Sequence, residues 1–100
     1  MSINEEFRQH TLKAMQWRAN PVLMSALSKV DGTGLTEIEE VELSAFLGVI
    51  TTYVGIIRNK PSQLAVVNEM LKINLVYGHD KEGRAALVFA DMPRTVTWAL

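Results

Sequence analysis

Leu43–Ile57, LSAFLGVITTYVGII, carries no charge and lies between the acidic segment Glu37–Glu42 and the group Arg58-Asn59-Lys60. In a chain of 100 residues such a stretch belongs at the centre of the fold or in a contact with another molecule. Two periodicities compete for it. Gly48–Ile57 is rich in β-branched residues, and glycine costs about 1 kcal/mol in a helix interior, which favours a strand. The length of the run favours a helix, as does the capping box Thr36-Glu37-Ile38-Glu39 just before it. Glu37, Glu39 and Glu40 also suit the positive end of a helix dipole. The helix reading predicts one element from about Thr36 to Asn59. It assigns Ile38, Val41, Phe46, Val49, Ile50, Tyr53 and Ile57 to one side, with Leu43, Leu47, Val54 and Ile56 widening the apolar surface. Ser44, Gly48, Thr52 and Gly55 form a small-residue strip that lets another helix approach closely. A membrane-spanning helix needs roughly 20 predominantly apolar residues. This run is shorter and includes Ser44, Thr51, Thr52 and Tyr53, so a buried helix is expected and a membrane is not.

Before this element, Ser2-Ile3-Asn4-Glu5 has the form of a capping box and opens a helix to about Asn20, with Ile3, Phe7, His10, Ala14 and Trp17 on one stripe. Asn20-Pro21 reads as a break and restart, because proline is favoured at the first helical position behind an asparagine cap. A short helix through Val22, Leu23, Ala26 and Leu27 then reaches the turn Asp31-Gly32-Thr33-Gly34. After the central run, Pro61-Ser62 opens a fourth helix carrying Leu64, Val67, Met70, Leu71, Asn74 and Leu75, closed by Gly78. Ala86–Ala90 and Thr95–Trp98 are β-compatible and joined by Asp91-Met92-Pro93-Arg94, a hairpin pattern. The predicted fold is mainly α, of the α+β class: about four helices in a small bundle with a C-terminal β-hairpin. Residues 1–100 are expected to form a single globular domain.

Ten Lys+Arg against eleven Asp+Glu give a formal charge of −1, the wrong balance for a protein that lives on a phosphate backbone. Cysteine is absent, which excludes disulfides, thiolate metal sites and cysteine nucleophiles and fits a reducing cytoplasm. The N-terminus lacks the apolar stretch of a secretory signal.

No motif in the chain names a chemistry. Asp31–Glu42 has the length of a calcium loop, but Leu35 and Thr36 occupy the positions that need an oxygen ligand and a glycine. Glu6 with His10, and His79 with Asp80 and Glu82, are too few to make a zinc site without joining distant turns. Asp31-Gly32-Thr33-Gly34 lacks the lysine and the strand–turn–helix context of a phosphate loop. The chain is therefore read as a non-enzyme, with no catalytic residue, cofactor or metal.

What remains is a binding role. The expected function is non-catalytic protein binding, by a small cytoplasmic adaptor or inhibitor that occupies a surface of a larger protein, of the kind a bacterium or phage uses as an accessory. Candidate partner-binding residues are the acidic cluster Glu37, Glu39, Glu40 and Glu42, together with Phe89 and Trp98. The alternative is a DNA-associated regulator using a helix-turn-helix-like segment over residues 21–59. Against it stand the carboxylates at the start of the would-be recognition helix, so direct nucleic-acid binding is not expected. An isolated hairpin leaves unpaired edges, and Leu87, Phe89, Val96 and Trp98 are apolar, so a homodimer through the C-terminal region is predicted.

Overall fold

The computed structural model describes residues 3–29 and 31–100. The capping role assigned to Ser2 and the side-chain placement of Ile3 lie outside what is described. Four α-helices come first: α1 (Ile3–Met15), α2 (Pro21–Leu27), α3 (Glu37–Asn59) and α4 (Gln63–Leu71). Strands β1 (Leu75–His79), β2 (Ala85–Phe89) and β3 (Val96–Ala99) follow as an antiparallel sheet in the order β1-β2-β3. The α+β class and the C-terminal β structure are as the sequence predicts; the sheet has one strand more than the hairpin.

The local signals explain most boundaries. Asn20 caps α2, its Oδ1 accepting from the Leu23 N–H at 3.1 Å, with Pro21 behind it at the first helical position. α1 stops at Met15, and a short 3-10 turn (Trp17–Ala19) replaces the rest of the predicted first helix. Thr36 and Glu39 close the predicted capping box of α3 in both directions, at 3.2 and 2.9 Å. Residues 48–57 are helical, so the glycine penalty is outweighed by what the helix buries.

The fourth helix is shorter than predicted. It ends at Leu71 because Lys72 turns into the left-handed region, at φ 57°. Helices often end in that conformation, but glycine usually supplies it; a lysine there leaves no signature in the sequence. Asn68 then clamps the next strand, its amide donating to Leu75 O and accepting from Leu75 N, both at 2.9 Å. Gly78, read as a helix stop, instead lies within β1, where a Cβ would meet Val88 Cγ2 at 3.0 Å.

The core is a single cluster. α3 contributes Leu43, Phe46, Val49, Ile50, Val54 and Ile57; α4 adds Val67 and Leu71; the sheet adds Leu75, Leu87 and Phe89. Leu64 and Tyr53 pack against it half-buried. Phe46 stands between Trp17, at 5.6 Å between ring centroids, and Phe89, at 6.1 Å. Trp17 donates its indole N–H to Leu71 O at 2.8 Å and Arg18 reaches Lys72 O at 3.1 Å, so two carbonyls at the end of α4 are satisfied by the 3-10 turn.

Candidate functional site

The acidic start of α3 divides into two kinds of residue. Glu39 is 5% exposed. Its carboxylate accepts from Ser25 Oγ at 2.6 Å and from the Thr36 N–H at 2.9 Å, and Lys29 Nζ lies 3.4 Å away. Those bonds, the Ser25 hydroxyl first, lower its pKa from 4.5 to about 2. Glu39 thus ties α2 to α3. Glu42 is half-buried and does similar work, with Lys13 Nζ at 3.2 Å and Asn20 Nδ2 at 3.4 Å. Glu37 and Glu40 are exposed and form no ion pair among the described residues.

The aromatic candidates also separate. Phe89 is 1% exposed and belongs to the core. Trp98 is half-buried, and its indole N–H donates to Thr51 Oγ1 at 2.8 Å. Glu39 and Phe89 therefore leave the partner-binding set expected from the sequence, because both are occupied in folding. Trp98 reaches α3 at Thr51, nine residues or about 14 Å along the axis from Glu42, so the sheet and the acidic end do not form one patch.

Each outer edge of the sheet is met by a side chain at one end. β1 supplies the third strand, making β2 central. Asn68 occupies the outer backbone groups of Leu75, and Arg58 Nε donates to Ala99 O at 2.8 Å on the β3 edge. The hairpin is therefore not an isolated strand pair, since β1 makes the sheet three-stranded.

An open apolar surface runs along the outward side of α3. Ile38 and Val41, assigned inward by the sequence reading, are each 65% exposed. The helical step explains Val41, which at about 100° per residue lies about 140° around the axis from Phe46; Ile38 is exposed in the first turn of α3. Ile38, Val41, Ala45, Gly48, Thr52 and Gly55 recur at alternating spacings of three and four, a seam that slants slowly around the outward side of α3. All are exposed except Gly55, which is half-exposed. Around Gly48 and Gly55 no atom outside the helix's own backbone comes within 4 Å of a Cβ position. The seam's polar groups are satisfied internally, Thr52 Oγ1 bonding Gly48 O at 3.2 Å and Asn59 Nδ2 bonding Gly55 O at 3.3 Å. Beside it, Phe7 and His10 of α1 form a shallow groove with Ala45, Gly48, Val49 and Thr52. By length and composition alone α3 is also apolar enough to cross a membrane.

Titratable groups gather beside α1, where His10, Lys13 and Glu42 line one pocket and Lys13 pairs with Glu42 at 3.2 Å. His10 and His79 are both exposed and lie on different elements. Among the described residues no three of His, Asp and Glu converge on a metal-sized site. Ser28–Thr36 separates α2 from α3, well beyond the three- or four-residue turn of a helix-turn-helix. Compared with protein-family models, curated proteins and solved structures, the chain finds no match.

Proposed function

We propose that this protein acts by binding another protein without catalysis, occupying a partner's surface with the outward side of α3 as a cytoplasmic adaptor or inhibitor would. The observation that carries this reading is the exposure of Ile38 and Val41, 65% each, at the head of an uncharged seam. Large aliphatic side chains held that far into water on a helix whose opposite side builds the core support a docking role. Glu37 and Glu40 beside them supply an acidic rim, which favours a partner with basic residues around an apolar centre. The same carboxylates lie where a DNA-reading helix would meet phosphates, so they favour protein over duplex.

Affinity capture from native lysate with the wild-type chain and with Val41→Glu, read by mass spectrometry, tests the reading. The expected result is a specific protein retained by the wild type and lost by the variant. Identical capture by both, or none by either, refutes it.

A further inference from the structure

The seam on α3 is complementary to itself when two copies run antiparallel. Its N-terminal half carries the bulk, Ile38 and Val41. Its C-terminal half is small along the seam itself, Gly48, Thr52 and Gly55, with Ile56, 41% exposed, at its side. A parallel pair would set bulk on bulk and leave a gap at the other end. In an antiparallel pair, positions that alternate by three and four interleave in layers. That places Ile38 over Gly55 of the second copy, Val41 over Thr52 and Ala45 over Gly48.

Charge selects the same arrangement. Exposed Glu37 and Glu40 stand at one end of α3, and exposed Arg58 and Lys60 at the other. Antiparallel packing brings Glu37 near the guanidinium of Arg58 of the second copy, which also donates Nε to its own Ala99 O at 2.8 Å, and opposes the two helix dipoles, whereas parallel packing sets like charges together. Burying the seam strands neither the Thr52 hydroxyl nor Asn59 Nδ2, because both already bond their own helix backbone. The seam runs the length of a 23-residue helix, about 34 Å.

We infer that the outward side of α3 is the contact of an antiparallel two-fold homodimer. This rests on the reading above that the face is a docking surface, and names its occupant: a second copy of this chain. A larger partner and the second copy then compete for one face.

Because the chain has no cysteine, single-cysteine variants report the geometry directly. Val41→Cys and Thr52→Cys are prepared separately and oxidised alone and as a mixture. In the antiparallel dimer Val41 faces Thr52, while the two Val41 positions are about 16 Å apart along the axis, beyond disulfide reach. The expected result is a covalent dimer in the mixture containing one chain of each variant, and almost none in either variant alone. Self-cross-linking of Val41→Cys overturns the antiparallel arrangement.

Sedimentation equilibrium of the unmodified chain at tens of micromolar provides the second readout. Twice the chain mass of 11.2 kDa is expected, returning to a single chain in Gly48→Arg, whose Cβ meets nothing within 4 Å in the monomer. A monomer throughout overturns the dimer. If that monomer still captures a protein that Val41→Glu loses, the docking face survives and its occupant is a larger partner. If it instead sediments with lipid vesicles, and Gly48→Arg does not, the occupant is a membrane surface.

Discussion

Glu39 shows how one side chain can look like a binding residue and be part of the scaffold. Its carboxylate serves α2 through Ser25 and the cap of α3 through Thr36. Because its folded pKa is depressed from 4.5 to about 2, its contribution is complete above the unfolded value and is lost as pH falls through that interval. Asp31 acts in the same direction, its pKa lowered chiefly by the Thr33 hydroxyl. The melting temperature of the wild type should therefore fall between about pH 4.5 and pH 2. In Glu39→Gln the protein should start less stable at neutral pH and lose less over that interval, as thermal melts across the range will show. Phe46 is the apolar counterpart. It is 3% exposed and flanked by Trp17 and Phe89, so Phe46→Ala should cost about 3–5 kcal/mol in denaturant unfolding.

At the scale of elements, the junction between α4 and β1 is where local pattern and observed structure part. Leu64, Val67, Leu71 and Leu75 keep helical spacing past the true end of the helix, and the stop is made by Lys72 in a conformation that a lysine adopts at a cost of about 1–2 kcal/mol. Lys72→Gly should relieve that strain and, net of glycine's greater chain entropy, raise stability by up to about 1 kcal/mol. Asn68 works from the other side, substituting for a neighbouring strand along Leu75. Asn68→Ala removes both bonds and should cost about 1–3 kcal/mol, with faster amide exchange concentrated in β1 as its signature. A uniform change in exchange across all three strands would show that Asn68 is not the local clamp.

For the whole molecule, charge and surface together set what it can bind. A formal charge of −1, with exposed carboxylates at the head of α3, offers little to a phosphate backbone. A gel shift at near-physiological salt should show no duplex binding above weak background, and tight, salt-sensitive binding would return the protein to the DNA-associated class. The sequence alone determined the things that depend on neighbours along the chain. These are the capping box at Thr36, the break at Asn20-Pro21 and the α+β class; for residues 48–57 the sequence favoured a helix against a competing strand pattern. It also showed the small-residue strip on α3. Only the tertiary structure decided which apolar residues stay exposed, because α3 is apolar almost all round and periodicity cannot say which sides its neighbours cover. Ile38 and Val41 face water since α2 and α1 pack elsewhere on α3. Glu39 and Phe89 turn inward since Ser25 and Phe46 meet them across the fold. Those contacts join residues far apart in the chain, and no local spacing encodes them.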